Sequence, residues 1–101
     1  MAPAKAKSPK KPDATITNNV TVCNERGLHA RAASKFVKLV AEFTAEVTVT
    51  KGSQSVAGSS ILGLMMLAAG PGTEITIATS GSQAAEASAA LCGLVEARFE
   101  E

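Results

Sequence analysis

The sequence predicts an α+β fold in which one sheet is covered by helices on one face. Short runs rich in β-branched residues alternate with segments whose apolar residues recur every three or four positions. The chain has 101 residues, which fits one small domain, and 46% of them are hydrophobic. Its aromatic residues are three phenylalanines, so a core would be built mainly from Val, Ile, Leu, Met and Ala.

The chain begins with a segment unlike the rest. Residues 1–13 consist mostly of Pro, Ala and Lys without apolar periodicity, and we expect a disordered tail before a folded domain at 14–101. Four of the ten basic residues lie in this tail. The domain keeps six basic and eight acidic residues, a net charge of −2, which argues against nucleic-acid binding.

A strand, a helix and a hairpin of two strands are predicted in the first half of the domain. Residues 14–23 read as a strand, followed by a polar turn that ends at Gly27. An apolar stripe predicts a helix over 30–43. Val and Thr alternate over 45–50, and a turn containing glycine leads to a short strand at 54–57.

The second half is predicted to be helix, strand, helix. Ser60 precedes an apolar run at 61–70, which ends at Gly-Pro-Gly, so a short helix is expected there. This run is too apolar to face the core on all sides. A strand is predicted at 73–79 and an alanine-rich helix at 83–99, which completes the order β-α-β-β-α-β-α.

The two cysteines and the hydropathy pattern indicate a cytoplasmic protein. Cys23 and Cys92 form no CxxC pair and have no histidine at metal spacing, so we expect two free, mostly buried thiols and no metal. No apolar run is long enough to cross a membrane, and the lysine-rich start lacks the apolar segment of a signal peptide.

His29, the single histidine, is the best candidate for chemistry. It falls at the start of the predicted helix, where unpaired N–H groups attract anions, and Arg31 adds a planar set of donors suited to phosphate oxygens. A neutral imidazole is a nucleophile near neutral pH. The alternative is a histidine that only satisfies hydrogen bonds at a helix start. Transfer of a phosphoryl group through His29 would need no cofactor.

Two motifs resemble one known family. Residues 27–33, Gly-Leu-His-Ala-Arg-Ala-Ala, closely resemble the phosphohistidine signature of the HPr family, the phosphocarriers of the bacterial phosphoenolpyruvate-dependent phosphotransferase system. Residues 60–65, Ser-Ile-Leu-Gly-Leu-Met, resemble the regulatory serine site of that family. The resemblance covers about residues 14–99. It implies an open-faced β-sandwich with a four-stranded antiparallel sheet and three helices.

The resemblance also implies a role in a relay. Enzyme I would phosphorylate His29 on Nδ1, Arg31 would assist at the phosphate, and the group would pass to an EIIA-type protein. The chain would be a monomeric carrier and not an enzyme, serving either sugar uptake or the nitrogen-related branch. Ala32 stands where the family usually has proline, which is pre-organised for the first helical turn.

Further residues have two interpretations each. Ser60 is expected to cap its helix, and the resemblance makes it the target of an HPr kinase/phosphorylase, with Ser59 as the competing site. The apolar run after Ser60 is either core or a docking patch for partners. Lysines on the outer face of the first helix either steer acidic partners or are simply solvated. The candidate partner-binding residues are Ile61, Leu62, Met65, Lys35 and Lys38.

A second hypothesis keeps the fold and changes the role. The chain would be a regulatory interaction protein that controls its partners by docking. Binding that is indifferent to His29→Ala but sensitive to Leu62→Glu would favour it. Nucleic-acid binding through the lysine-rich tail is a third hypothesis, and it would be lost when residues 1–13 are removed.

Overall fold

The structure is a computed structural model that describes residues 15–101, so the predicted tail at 1–13 lies outside the described residues. The elements follow the predicted order. They are β1 (Ile16–Thr21), α1 (Ala30–Val40), β2 (Glu46–Lys51), β3 (Gln54–Ala57), α2 (Ile61–Met66), β4 (Glu74–Ser80) and α3 (Ala84–Glu96), with a final 3-10 turn at Arg98–Glu100.

The four strands form one antiparallel sheet in the order β1-β4-β2-β3. The last strand in sequence, β4, pairs with both β1 and β2, so it joins β1 to the hairpin of β2 and β3. Val20 lies opposite Ile75, and Val49 lies opposite Ile77. The predicted fold class, an open antiparallel sheet with three helices, is confirmed.

Alternation along the strands builds one apolar face. Val47, Val49, Ile75 and Ile77 are buried, while most of the residues between them are partly or fully exposed. The helices cover this face with their own apolar stripes, as the sequence predicted. The buried helix residues that meet the sheet residues in one core are Ala32, Ala33, Phe36, Val40, Leu64, Leu91 and Val95.

The first two helices are shorter than predicted because both tighten at their ends. After Val40, the N–H groups of Glu42 and Phe43 bond to carbonyls three residues back instead of four, so α1 does not reach Phe43. After Met66, Ala68 adopts a left-handed conformation with φ of 52°, which ends α2 before Gly70.

The third helix also ends early. It stops at Glu96, and Arg98, Phe99 and Glu100 then have φ of 59°, 54° and 62°. This left-handed turn carries no glycine. It is held because Phe99 is fully buried and its carbonyl accepts a hydrogen bond of 2.7 Å from Lys35 Nζ. The turn directs Glu101 back towards α1.

The cysteines are free, as predicted, but the prediction that both are mostly buried was wrong for Cys23. Cys23 is exposed; it follows β1, an edge strand of the sheet, and its Sγ lies 3.7 Å from the carbonyl oxygen of Val95. Cys92 on α3 is partly buried, and burial raises the pKa of its thiol. Separately, none of the helices within residues 15–101 is long and apolar enough to cross a membrane.

Candidate functional site

His29 is the residue that begins α1. Its backbone is extended, with φ of −78° and ψ of 179°, and its carbonyl accepts the first helical hydrogen bond from the N–H of Ala33 at 2.8 Å. The imidazole does not cap the helix, so its nitrogens are not used by the backbone of α1. The side chain is 17% exposed. The ring is therefore held at the surface, at the positive end of the helix.

The loop before His29 is fixed by close backbone packing. Gly27 has φ of 63°, and a Cβ at this position would lie 2.2 Å from the carbonyl oxygen of Ala69. The next residue, Leu28, is buried and donates its N–H to the same oxygen at 2.9 Å. Only glycine permits this approach. The segment that follows α2 thus determines where His29 stands.

The start of α1 offers donors to an anion. The N–H groups of Ala30, Arg31 and Ala32 precede the first residue that can bond within the helix, and no side chain caps them. The first turn carries no acidic residue, and Arg31 is exposed beside it. Backbone dipoles and a guanidinium near an imidazole form a suitable site for a phosphoryl group.

The structure adds a carboxylate that the sequence analysis missed. Glu101 Oε2 contacts Nε2 of His29, although 72 positions separate the two residues. The other oxygen, Oε1, accepts a hydrogen bond of 3.1 Å from Nδ2 of Asn24. The hydrogen bond from Asn24, and to a lesser extent that from His29, holds the pKa of Glu101 below its usual range. The positive charge of Arg31 adds to the effect.

Asn24 connects this carboxylate to the loop. It is buried, and its Nδ2 also donates to the carbonyl of Gly27 at 2.9 Å. On the other side, Lys35 fixes the turn that precedes Glu101 through the carbonyl of Phe99. No local pattern in the sequence predicts this arrangement, because the left-handed turn contains no glycine and the contacts join distant positions.

Ser60 begins α2 in the way that the sequence predicts. Its Oγ accepts the N–H of Gly63 at 3.0 Å, and Ser60 is partly buried while Ser59 is exposed. Gly63 lies close to Ser60 and to Val56 of β3, so a side chain there would crowd both. The cap is therefore structural, independent of any modification.

Four apolar side chains of α2 are exposed, which we call the α2 patch. They are Ile61 (41%), Leu62 (68%), Met65 (40%) and Met66 (65%). Met66 was not among the predicted partner-binding residues. Leu64 between them is fully buried and anchors the helix. Exposed apolar side chains gathered on one short helix are typical of a docking surface.

The two lysines predicted to bind partners occupy different environments. Lys38 is exposed on α1. Lys35 is partly buried and its Nζ is engaged with the carbonyl of Phe99. Arg31 and Lys38 thus present exposed positive charge along α1, while Lys35 connects the helix to the end of the chain.

Known sequences and structures match this chain over most of its length. The family model described as "PTS HPr component phosphorylation site" matches residues 16–97. Phosphocarrier protein NPr of Shewanella violacea is 45% identical over 86 residues, which are 85% of this chain and 94% of that protein. Phosphocarrier protein HPr of Neisseria meningitidis serogroup A is also 45% identical over 86 residues, 85% of this chain and 97% of that protein.

Solved structures agree in fold. HPr-C-His from Thermoanaerobacter tengcongensis gives a TM-score of 0.82 at 32% identity, covering 85% of this chain and 97% of that one. Phosphocarrier protein HPr from Bacillus anthracis gives a TM-score of 0.79 at 41% identity, covering 82% of this chain and 99% of that one. The chain therefore belongs to the HPr family of phosphocarrier proteins of the phosphotransferase system.

Proposed function

We propose that His29 accepts a phosphoryl group from phospho-enzyme I and passes it to an EIIA-type protein in the cytoplasm. The observation that carries this proposal is the placement of the single histidine at the N-terminus of α1, uncapped and beside Arg31, within a chain of the HPr family. Members of this family are named as phosphocarriers, and a carrier needs a nucleophile that both accepts and releases the group.

The chemistry requires few groups on the carrier itself. The lone pair of Nδ1 attacks phosphorus while the donor's bond to phosphorus breaks and its electron pair leaves with the donor atom. The N–H groups at the start of α1 and the guanidinium of Arg31 would donate hydrogen bonds to the transferred oxygens. The product is a phosphoramidate, whose nitrogen leaves when the next protein attacks in line. The same contacts serve both directions of transfer.

Docking would use the α2 patch together with positive charge on α1. The segment that follows α2 touches the loop before His29 through the hydrogen bond from Leu28 to Ala69, which supports a docking surface that includes both α2 and the start of α1. The side chains of Met65 and Met66 are flexible and suit partners of different shape. Lys38 would assist the approach of acidic partners.

Ser60 would regulate that docking. A phosphate on its Oγ would place about two negative charges beside Ile61 and Leu62. Enzyme I would then dock less well. The modification also removes the hydroxyl as a simple cap for Gly63, although a phosphate at the same place still accepts N–H groups.

The relay is tested with phosphoenolpyruvate, the matched enzyme I and each candidate EIIA protein. We expect acid-labile label on the wild type, none on His29→Ala, and onward transfer to EIIA proteins of one branch, which assigns sugar uptake or nitrogen regulation. Ser60→Asp should slow the first transfer more than Ser59→Asp, its matched control. A wild type that takes no label from its own enzyme I would refute the proposal.

The α2 patch supports a second candidate role, regulation of partners by docking. Its four exposed side chains form an apolar surface on one short helix. Partner binding that survives His29→Ala and is lost in Leu62→Glu would show this role. Binding lost equally in both variants would assign the patch to the relay alone.

A further inference from the structure

A small pocket lies between the loop before α1 and the end of the chain. The left-handed turn at Arg98–Glu100 forms one side of it. Its volume is about 190 Å³, and it is lined by Asn24, Glu25, Arg26, Arg98 and Glu101. His29 is not one of the lining residues. Pockets that enclose drug-sized molecules have volumes of about 300–1,000 Å³, so this one suits a smaller ligand.

The charges that line the pocket are balanced. Arg26 and Arg98 supply two positive charges, and Glu25 and Glu101 supply two negative ones. Within residues 15–101 the direct ion pair is that of His29 with Glu101, so neither guanidinium is neutralised by a carboxylate in contact with it. A simple anion would match only the arginines, and a simple cation only the glutamates. A ligand that carries one group of each sign matches both.

Asn24 adds an unused acceptor to this pocket. It is 2% exposed, and its Nδ2 donates to the carbonyl of Gly27 and to Oε1 of Glu101. Because both partners are acceptors, the orientation of the amide is fixed. Its Oδ1 is buried and has no hydrogen-bond partner among the residues that the structure describes. Buried acceptors are nearly always paired, so this oxygen points to a donor on a bound molecule.

We propose that this pocket binds a small polar α-amino acid. The guanidinium groups of Arg26 and Arg98 bind its α-carboxylate, because arginine donors match the two oxygens of a carboxylate. Its α-ammonium group has three N–H donors, and the acceptors for them are Glu25, Glu101 and Oδ1 of Asn24. All five lining residues are polar, so a large apolar side chain on the ligand would find no matching contact.

Glu101 can accept this further donor. An ionised carboxylate offers about four lone-pair sites, and Asn24 and His29 occupy two of them. Binding requires no phosphoryl group and no phosphoryl donor, so the inference goes beyond the proposed function and is tested separately from it. Asn24 also holds the carbonyl of Gly27, so an occupied pocket is connected to the loop that leads to His29.

The test is titration of the full-length, unphosphorylated protein with glycine, L-serine and L-asparagine, followed by ¹H–¹⁵N spectra. We expect saturable shift changes centred on the backbone amides of residues 24–27 and 98–101. The tightest ligand of the three should also raise Tm, because a ligand of the folded state stabilises it. Acetate and methylammonium, which supply one charge each, should bind at least about tenfold more weakly than that amino acid.

Variants at exposed positions identify the groups that bind. Arg98→Gln and Glu25→Gln should each weaken binding of the tightest amino acid about tenfold, because each removes a charge-assisted hydrogen bond. Lys38→Gln and Glu96→Gln are the matched controls, since both positions are exposed and lie outside the pocket. The controls should bind as the wild type does. All four side chains are exposed, so the variants should fold.

Three results would overturn the inference. The first is the absence of saturable shifts with all three amino acids, which would leave Oδ1 of Asn24 to a bound water. The second is binding of acetate, methylammonium or inorganic phosphate as tight as that of the amino acids, which would reduce the pocket to a site for single charges. The third is an equal loss of affinity in Lys38→Gln or Glu96→Gln, which would assign the effect to general charge.

Discussion

Replacement of Gly27 by alanine tests whether backbone packing positions the phosphorylation site. The added Cβ would lie 2.2 Å from the carbonyl oxygen of Ala69 and 2.8 Å from Cα of Gly70. Both are backbone atoms, so no side chain can move aside. The loop and the segment after α2 must separate, and the hydrogen bond from Leu28 to Ala69 is weakened or lost.

The expected cost has two parts. A non-glycine residue with φ near 60° costs about 1–2 kcal/mol, and forcing apart a packed contact costs about 1–3 kcal/mol more. Gly52 provides the control because its φ is 59° and nothing lies within 4 Å of a Cβ built there. Gly52→Ala should therefore show only the conformational part.

The assay is urea unfolding of both variants, followed by phosphorylation of each by enzyme I. Gly27→Ala should lose about 2–5 kcal/mol of unfolding free energy and Gly52→Ala about 1–2 kcal/mol. Gly27→Ala should also be phosphorylated more slowly, since His29 follows two residues later. Equal destabilisation of the two variants would show that the contact with Ala69 does not constrain the loop.

Three other predictions concern α2, the thiols and the carboxylate. Ser60→Ala should cost about 0.5–2 kcal/mol in urea unfolding because Gly63 loses its acceptor, and a cost no larger than that of the exposed control Ser59→Ala would contradict the cap. Because burial raises the pKa of Cys92, iodoacetamide should alkylate the exposed Cys23 first, which peptide mass spectrometry can measure. Faster modification of Cys92 would contradict the partly buried position of its thiol. Because the pKa of Glu101 is lowered, its contacts stabilise the fold fully above the ordinary pKa of glutamate, and this stabilisation is lost as the pH falls through the lowered value. The ¹³C titration of the Glu101 carboxyl should therefore have a midpoint below that of an ordinary glutamate. An ordinary midpoint would contradict this prediction.

Periodicity was sufficient to predict the architecture. Strands such as β4, with Ile75 and Ile77 inward, bury alternate residues, and α1 buries an apolar stripe that includes Phe36. Each pattern specifies which face turns inward, but only the pairing of β2 with β3 follows from a short connection, since β4 lies between β1 and β2 in the sheet. The ends of the helices were less predictable, because Ala68 adopts a left-handed conformation that its residue type does not favour.

Only part of the site could be predicted from the sequence. His29 and Arg31 lie two positions apart at the start of α1 and carry a local signature, so their place at the helix N-terminus could be predicted. Glu101 could not be assigned, because it meets His29 and Asn24 only after the turn at Phe99 folds back onto α1. Contacts of this kind depend on tertiary packing, which local patterns do not encode.

The measurement that tests the central claim most directly is the location of the label in the phosphorylated protein. After incubation with phosphoenolpyruvate and the matched enzyme I, fragmentation by mass spectrometry should place one acid-labile phosphoryl group on His29, and Arg31→Ala should slow its arrival without moving it. Stable label on a serine or threonine, or equal labelling of His29→Ala, would contradict the assignment of His29 as the phosphoryl carrier.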